Sequence, residues 1–320
     1  MRALITGING FVGGHLAEHL LTLEGWAVYG LSRTTKLSLP QLAERVTMVT
    51  ADLNDRAQAK RAIIEATPEV IFHLAGQPFV PESFRDPAAT LQANMLGALH
   101  LFLALIELDL QARIVLIGTN EEYGQIGPED LPVDEQTPLR PTSPYGVSKV
   151  AQSMLGLQYH LSHGLDVVRL RPFTHIGPRQ NQRFVTAAFA RQIARIERGL
   201  QPPVMHVGNL SPCRDFTDVR DIARAYQLAA LHGAPGEVYN IGSGRSVTIR
   251  SMLDDLIATS DLPIEVVPDP QLMRPVDIPL MVCNATRFCT CTNWAPRISL
   301  QQTLSDILAY WRSQVAWDEQ

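Results

Sequence analysis

The sequence predicts an α/β fold in which a doubly wound parallel sheet is covered by helices on both faces. Three observations support this fold class. Short β-branched runs alternate with helical segments along the first 172 of the 320 residues. The runs are continuously apolar, which is typical of strands buried on both faces. A glycine-rich turn joins the first run to the first helical segment, as in sheets that bind nucleotides.

The predicted strands cover residues 3–5, 27–30, 46–49, 70–73, 114–117 and 167–170. Helices fit between them, for example over 94–108, where Leu96, Leu99 and Leu103 recur at helical spacing. In open sheets of this kind, ligands bind at the carboxyl ends of the strands. Residues that directly follow a predicted strand are therefore the first candidates for chemistry.

The turn after the first strand reads Thr-Gly-Ile-Asn-Gly-Phe-Val-Gly over residues 6–13. Glycines at this position allow a tight turn, close approach of a pyrophosphate, and close packing of helix on strand. The amino terminus of the following helix adds free N–H groups and a positive dipole end. The turn predicts a dinucleotide site of the Rossmann type. Its expected cofactor contacts are Gly7, Asn9, Gly10, Phe11, Val12 and Gly13.

The strand–helix alternation ends after residue 172, which indicates a second domain. We predict a dinucleotide-binding domain of residues 1–172 plus about 213–245. Residues 173–212 plus about 246–320 form a smaller, interleaved C-terminal substrate domain. The predicted elements there are helices over 185–198 and 221–231, a strand over 238–241, and a tail helix capped near Ser299. Asp218 is the expected cap of the helix over 221–231, with Asp221 at its third position.

Composition narrows the class of protein. Lys and Arg total 27 and Asp and Glu total 32, so the net charge of −5 predicts neither a nucleic-acid nor a membrane partner. No apolar stretch reaches the length expected of a membrane span, and the first residues read as a strand, so neither a membrane span nor a signal peptide is expected. The four cysteines lack C-x-x-C spacing, and His15 and His19 lack a third ligand, so no metal site is expected. A cytoplasmic protein with free thiols is predicted.

Tyr145 and Lys149 lie four residues apart and share a helix face. An ammonium beside a phenol is expected to lower the pKa of the tyrosine, making it a general acid or base. Thr119 directly follows the strand over 114–117, where it can hydrogen-bond a substrate oxygen beside Tyr145. Glu121 is either a catalytic base or an ordinary solvated carboxylate.

The form of the cofactor depends on the end of the second strand. A carboxylate there would accept the ribose 2′-hydroxyl and repel a 2′-phosphate. Residues 31–33 read Leu-Ser-Arg and contain no acid. Ser32 and Arg33 therefore favour NADP(H), with NAD(H) as the alternative.

Together, Gly7-x-x-Gly10-x-x-Gly13, Thr119 and Tyr145-x-x-x-Lys149 resemble the extended short-chain dehydrogenase/reductase superfamily, specifically its nucleotide-sugar branch. The resemblance spans essentially the whole chain. It implies further residues that contact the adenine, line the cofactor cleft or support the active-site lysine. These are Asp52, Leu53, Leu74, Ala75, Gly76, Asn94, Lys149 and Arg171.

The stretches 181–186, 208–210, 214–216 and 274–275 resemble enzymes of GDP-sugars, the GDP-mannose 4,6-dehydratases and the GDP-4-keto-6-deoxy-mannose reductases. Guanidinium groups suit a pyrophosphate, so Arg214 and Arg274 are its candidates, although each could instead form a surface ion pair, Arg214 with Asp215. Asn209 is assigned to the base or ribose and Ser83 to the sugar. Position 174 departs from the many relatives that carry an amide there. The implied substrate residues are Gln77, Ser83, Thr119, Glu121, Thr174, Asn181, Val185, Asn209, Arg214 and Arg274.

Within this pair of enzymes, the short segment after the second strand and the stretches 169–178 and 274–279 resemble the reductase. The expected reaction is NAD(P)H-dependent reduction of the sugar C4 ketone to GDP-D-rhamnose or its C4 epimer. Tyr145 would protonate the oxygen, Lys149 would hold the nicotinamide ribose, and Thr119 would orient the carbonyl. The alternatives are a GDP-mannose 4,6-dehydratase, in which Glu121 removes the C5 proton, another nucleotide-sugar epimerase or dehydratase, and a regulator that binds the cofactor without catalysis. Relatives commonly pair through helices equivalent to 94–108 and 145–160, so a homodimer is expected.

Overall fold

A computed structural model describes residues 1–273 and 278–317. The strands are β1 (Arg2–Thr6), β2 (Ala27–Ser32), β3 (Val46–Thr50), β4 (Val70–His73), β5 (Arg113–Ile117), β6 (Val167–Pro172), β7 (His175–Ile176), β8 (Val204–Val207), β9 (Cys213–Asp215), β10 (Thr217–Asp218), β11 (Val238–Ile241), β12 (Ser246–Thr248), β13 (Glu265–Pro268) and β14 (Leu280–Met281). The helices are α1 (Phe11–Leu21), α2 (Arg56–Ala66), α3 (Val80–Arg85), α4 (Pro87–Glu107), α5 (Pro144–His163), α6 (Val185–Glu197), α7 (Val219–His232), α8 (Ile249–Ile257), α9 (Thr286–Thr292) and α10 (Leu300–Trp317).

The central sheet has seven strands in the order β3-β2-β1-β4-β5-β6-β11, and every neighbouring pair is parallel. The predicted doubly wound sheet is therefore confirmed, including the return of 238–241 to its edge. The strand order reverses between β1 and β4. A crevice opens at such a reversal, outside the carboxyl ends of the strands.

Apolar side chains fill both faces of this sheet. Ala3, Ile5 and Phe72 point to the face covered by α1 and α7, whereas Leu4 and Ile71 point to the face covered by α2, α4 and α5. Because successive side chains in a strand point to opposite faces, a strand that is covered twice must be apolar at every position. This explains the continuous apolar runs in the sequence.

A third apolar core, separate from the two on the faces of the sheet, lies among α6, α8, α10 and β8. It contains Phe189, Ile193, Met252, Leu253 and Ile307, which are almost completely buried. Most of this core comes from segments assigned to the substrate domain.

The segment around α9 is an exception to the predicted division of the chain. Phe288 and Trp294 join the core on the α1/α7 face of the sheet, although residues 246–320 were all assigned to the substrate domain. The Phe288 ring lies against Tyr239 of β11, with ring centroids 5.9 Å apart. The chain therefore returns to the edge of the main sheet before it enters α10.

Helix α4 starts seven residues earlier than predicted. Asp86 accepts a hydrogen bond from the N–H of Ala89 at 2.9 Å, and Pro87 occupies the first helical position, two start signals that the leucine spacing does not reveal. The expectation of no span-length apolar stretch is also wrong, because the full 21-residue helix is long and apolar enough to cross a membrane. In the structure, Leu101, Phe102 and Leu105 of α4 are buried against the sheet.

Helix α7 begins as predicted, with Asp218 accepting from the N–H of Arg220 at 2.8 Å. Asp221, its third residue, makes a connection that the sequence did not predict. The buried carboxylate accepts from the N–H groups of Arg297 and Ile298 at 2.8 and 2.9 Å and lies 2.9 Å from Arg224. Asp221 thus anchors the segment between α9 and α10.

Asp221→Ala should lower the free energy of unfolding by about 3 kcal/mol, because two partly buried N–H groups and a guanidinium lose their acceptor. Denaturant unfolding followed by circular dichroism measures the loss. Asp254→Ala is the matched control, since the Arg250–Asp254 pair is exposed. Equal stability of the two variants would contradict the anchoring role.

Candidate functional site

The glycine turn at the end of β1 leaves no room for side chains. Gly7 has a φ of +72°, which favours glycine, and a methyl group on it would lie 2.9 Å from the backbone nitrogen of Ala75. A methyl group on Gly13 would lie 2.4 Å from the carbonyl oxygen of Gly7. Gly10 precedes α1 and offers no side-chain cap, so the first N–H groups of the helix can serve an anionic ligand.

The loop after β2 is held beside this turn by Asn9. The Asn9 amide donates to Ser32 Oγ at 3.1 Å and to the Lys36 carbonyl at 2.9 Å, and its oxygen accepts from the Ser38 N–H at 2.7 Å. Asn9 therefore shapes the loop through its side chain. Arg33 is exposed and has no hydrogen bond or ion pair with any residue of 1–273 or 278–317.

The loops after β3 and β4 form the other side of the crevice. Thr6 Oγ1 bonds the Ala75 N–H at 3.1 Å and His73 Nδ1 at 3.0 Å, so the Leu74–Ala75 segment is fixed against β1. After β3, Asp52 accepts from the Asn54 N–H at 2.9 Å. Leu53 is buried.

Asn94 of α4 connects the cofactor loop to α5. Its oxygen accepts from the Gln77 N–H at 2.7 Å, and its amide donates to Ser148 Oγ at 2.8 Å. A methyl group on Gly76 would lie 2.6 Å from the same oxygen. Asn94 thus sets the distance between the Gly76–Gln77 backbone and the helix that carries Lys149.

The structure brings Thr119 and Tyr145 together. Tyr145 is the second residue of α5, whose start is fixed by Ser143 Oγ accepting from the Gly146 N–H at 3.0 Å. The Thr119 hydroxyl is hydrogen-bonded to the Tyr145 hydroxyl, and Glu121 and Glu122 both act electrostatically on the phenol. A carbonyl oxygen between Thr119 and Tyr145 would meet two hydroxyl groups.

The predicted effect of Lys149 on Tyr145 is wrong. Burial, above all, raises the pKa of the Tyr145 phenol, Glu121 and Glu122 raise it further, and only the Thr119 hydrogen bond lowers it. The Lys149 ammonium instead donates to the Ile117 carbonyl and to Gln152 Oε1, both at 2.9 Å. Burial lowers the pKa of Lys149 to about 8, against the raising effect of Glu122. Tyr145 is thus protonated at neutral pH.

This site is supported by a buried ion pair that the sequence did not predict. Glu122 Oε2 lies 2.8 Å from Arg171 Nε, and both side chains are buried. Glu122 Oε1 accepts from the Thr119 N–H at 3.0 Å, and Arg171 also donates to the Tyr123 hydroxyl at 3.1 Å. The guanidinium predicted to bind the cofactor is therefore committed to Glu122. An arginine within an apolar strand was the available signal, because a buried charge needs a partner.

The predicted substrate residues before α4 have local partners. The buried Ser83 hydroxyl donates to the Val80 carbonyl at 2.7 Å. The Gln77 amide donates to Thr90 Oγ1 at 3.0 Å and to the Phe79 carbonyl at 3.1 Å. Both side chains shape the segment between β4 and α4, and their contact with a sugar stays a prediction.

The remaining predicted substrate residues lie after β6. The Thr174 carbonyl accepts from the Thr217 N–H at 3.0 Å, and Asn181 accepts from the Arg183 N–H at 3.0 Å. Val185 opens α6 and packs against the third core. Asn209 accepts from the Ser211 N–H at 3.1 Å.

Arg214 Nη1 donates to the Ile278 carbonyl at 2.6 Å. Asp215, its suggested ion-pair partner, accepts instead from the Ser243, Gly244 and Cys283 N–H groups. Arg274 lies outside the described residues.

Both ring nitrogens of His15, the histidine beside the glycine turn, have neighbouring partners. His15 Nε2 is bonded to the Pro178 carbonyl at 3.0 Å, and its Nδ1 lies 2.8 Å from Arg179 Nη2. Burial, followed by the Arg179 charge, lowers the pKa of His15 to about 4. Among residues 1–273 and 278–317, no three His, Cys, Asp or Glu side chains are grouped to hold a metal ion.

Known proteins share this sequence and architecture. A model of the GDP-mannose 4,6 dehydratase family matches residues 4–307. The chain is 38% identical over 315 residues to the GDP-6-deoxy-D-mannose reductase of Pseudomonas aeruginosa, covering 98% of each protein. It is 27% identical over 348 residues to the GDP-mannose 4,6-dehydratase of Vibrio cholerae serotype O1, covering 96% and 92%.

Solved structures agree with these similarities. The structure of RMD from Pseudomonas aeruginosa complexed with NADPH matches with a TM-score of 0.87 and 36% identity, covering 98% of this chain and all of that one. The UDP-glucose 4-epimerase of Thermotoga maritima with UDP-glucose matches with a TM-score of 0.86 and 27% identity, with coverage of 98% and 100%. The resemblance inferred from the glycine turn and the Tyr145–Lys149 pair is confirmed.

Arg171→Met should reduce the free energy of unfolding by about 3–5 kcal/mol at pH 8, because it leaves Glu122 buried without its countercharge. Burial already raises the pKa of Glu122 against the lowering effect of Arg171, and loss of Arg171 should raise it further, so the folded variant binds a proton as the pH falls from 8, at pH values where the unfolded chain still has this carboxylate ionised. Stability of the variant should therefore rise as the pH falls from 8 to 5. Urea unfolding at both pH values measures this, with Arg250→Met in an exposed ion pair as the control. A loss that is independent of pH would refute the uncompensated charge as its cause.

Proposed function

The chain belongs to the GDP-mannose 4,6-dehydratase family, and within that family we propose that it is an NADP(H)-dependent reductase of GDP-4-keto-6-deoxy-D-mannose. One observation carries this choice. Identity is 38% to a GDP-6-deoxy-D-mannose reductase but 27% to a dehydratase, with nearly complete coverage in both cases. The enzyme is a nucleotide-sugar oxidoreductase on this assignment.

The residues of the crevice fit a dinucleotide. Glycine at positions 7 and 13 allows β1 to turn tightly into α1, because a Cβ at either position would collide with backbone atoms. The uncapped first N–H groups of α1 then suit a pyrophosphate. At the end of β2, the exposed Arg33 and the half-buried Ser32 suit a 2′-phosphate, and residues 31–33 include no carboxylate that would repel it. The matched Pseudomonas aeruginosa structure holds NADPH, which supports the same preference here.

The protonation state of Tyr145 suits a reduction. When bound, the reduced nicotinamide supplies a hydride to the C4 carbonyl carbon. The developing oxyanion at O4 needs a proton, and the phenol of Tyr145 carries one at neutral pH because burial raises its pKa. Thr119, hydrogen-bonded to Tyr145, donates to the same oxygen and later to the phenolate.

Recognition of the GDP group is assigned to the region after β8. Arg214 and Asn209 lie there, and we assign Arg214 to the pyrophosphate and Asn209 to the base or ribose. The product is GDP-D-rhamnose or its C4 epimer, depending on which face of the ketone meets the hydride donor. Dehydration of GDP-mannose is the second candidate: the Glu121 carboxylate acts electrostatically on Tyr145, and we assign it as the base for the C5 proton in that reaction.

Incubation of the protein with NADPH and GDP-4-keto-6-deoxy-mannose should consume NADPH. The fall in the absorbance of NADPH measures the rate. Tyr145→Phe should lower kcat about 10³-fold, since it removes the proton donor. Tyr159→Phe on the same helix is the control, because its ring packs in the core and its hydroxyl bonds no residue of the described chain.

The competing reaction is tested in parallel with GDP-mannose and NADP⁺. Formation of the 4-keto sugar under these conditions, together with no NADPH consumption in the first assay, would replace the reductase assignment by the dehydratase. Consumption of NADPH that is unaffected by Tyr145→Phe would refute the role of the phenol.

A homodimer through α4 and α5 is also proposed. The outer face of α5 carries a groove lined by Met154, Leu157, Gln158, Leu161 and Ser162. Leu161 is 74% exposed and Met154 40%, values that favour burial by a partner. Leu155 and Tyr159, on the same helix, instead pack against the core between α4 and the sheet. All four cysteines are free thiols, which supports a cytoplasmic location.

Leu161→Glu should shift the protein from dimer to monomer, since a carboxylate in an apolar interface must be desolvated. Sedimentation velocity measures the state. Ile64→Glu is the control, because Ile64 is an exposed aliphatic side chain on α2, 54% exposed, and this substitution should leave the dimer intact. A wild-type monomer at micromolar concentration would contradict this proposal.

A further inference from the structure

The Lys149 ammonium has three N–H donors and no acceptor. Two of them are used inside the protein, on the carbonyl oxygen of Ile117 and on Gln152 Oε1, each at 2.9 Å. The first acceptor is the backbone at the end of β5. The second is a side chain three residues further along α5, so the same helix supplies both the ammonium and one of its acceptors.

Gln152 is unusual for its position. It is 1% exposed on the face of α5 that packs against the sheet, where an apolar side chain would avoid the cost of burying an amide. Since an ammonium can only donate, the oxygen of the amide must face Lys149 and the nitrogen must face away. That nitrogen, Nε2, is buried and has no hydrogen-bond partner in the described chain. The amide therefore keeps its oxygen toward Lys149 even though its Nε2 donor is left unpaired, which costs free energy.

The other groups around Lys149 come from three neighbouring elements. Glu122, which follows β5, raises its pKa, and Glu122 is itself paired with Arg171 of β6. His73, at the end of β4, is neutral, because burial and then the Lys149 charge lower its pKa to about 3. Its Nδ1 is bonded to Thr6, and its Nε2 is buried without a partner among the described residues. Tyr145 lies one turn earlier on α5.

We propose that Gln152 is a positioning residue for Lys149: together with the Ile117 carbonyl it fixes two of the three ammonium hydrogens, so that the third is directed toward the cofactor ribose. The proposal rests on the cofactor assigned above. Because Gln152 is a neutral acceptor, it holds the ammonium without adding a countercharge. The lysine then keeps a pKa of about 8, within reach of physiological pH. A glutamate at the same place would hold the charged form far more strongly.

The test is the pH dependence of NADPH binding, measured by fluorescence titration of the purified protein between pH 7 and 9. If binding needs the charged lysine, a pKa near 8 weakens wild-type affinity about tenfold over this range. Gln152→Glu adds a carboxylate beside the ammonium and should leave affinity nearly constant to pH 9. Gln152→Met removes the acceptor, lowers the pKa of Lys149, and should increase the loss to about fiftyfold.

Gln301→Glu and Gln301→Met are the matched controls, because Gln301 is exposed on α10. Both should retain the wild-type profile. A merely structural role of Gln152 would weaken binding equally at every pH. The proposal is overturned if the folded Gln152→Glu variant keeps the tenfold loss, or if the wild type shows no loss between pH 7 and 9. If Gln152→Met fails to fold, the pH dependence of NADPH binding by the nearly isosteric Gln152→Glu variant still tests the proposal. No sugar is needed, so an inactive reductase would leave this readout intact.

Discussion

The buried ion pair of Glu122 and Arg171 is the interaction on which the rest of the site depends. It joins the segment after β5 to strand β6, and through Glu122 Oε1 it also holds the backbone of Thr119. Thr119 in turn bonds Tyr145, and the charge of Glu122 helps to keep a proton on the nearby lysine. An ion pair buried this deeply gains little net stability, since two charges must be desolvated. Its role is to fix the positions of the Thr119 hydroxyl, the Tyr145 phenol and the Lys149 ammonium.

The two candidate reactions share Thr119, Tyr145 and Lys149 and differ in the protons that must be moved. A reductase needs one proton at O4, and a phenol held neutral by burial supplies it. A dehydratase must also remove a proton from C5, which requires a carboxylate that remains a base. Glu121 and Glu122 are adjacent in sequence, yet Glu122 is fully buried with Arg171, whereas Glu121 is half-buried. Of these two carboxylates, only Glu121 could therefore act on a substrate. Which reaction follows depends on whether the bound sugar presents its C5 proton to Glu121.

The sequence predicted the sheet well because burial on two faces leaves a direct trace, uninterrupted apolar runs such as Val70–His73. The glycine turn was equally predictable, since Gly7 and Gly13 occupy positions where any Cβ would collide with backbone. The start of α4 was missed because it depends on the single cap Asp86, outside the periodic pattern. The pKa of Tyr145 was predicted with the wrong sign. Helical spacing gives the face that Tyr145 and Lys149 share, but neither the depth of burial nor the competing acceptors Ile117 and Gln152.

The path of the chain between its cores has a mechanical consequence. The chain first passes from the α1/α7 core to the third core between Leu170 and Ile176. It crosses between the same two cores four more times, after Phe216, Ile241, Leu256 and Trp294. Several covalent connections therefore join the two cores. A single hinge cannot open such an arrangement, so any closure over a ligand must be a small sliding of packed elements. No single proteolytic cut can release one half intact, and both halves should melt as one cooperative unit.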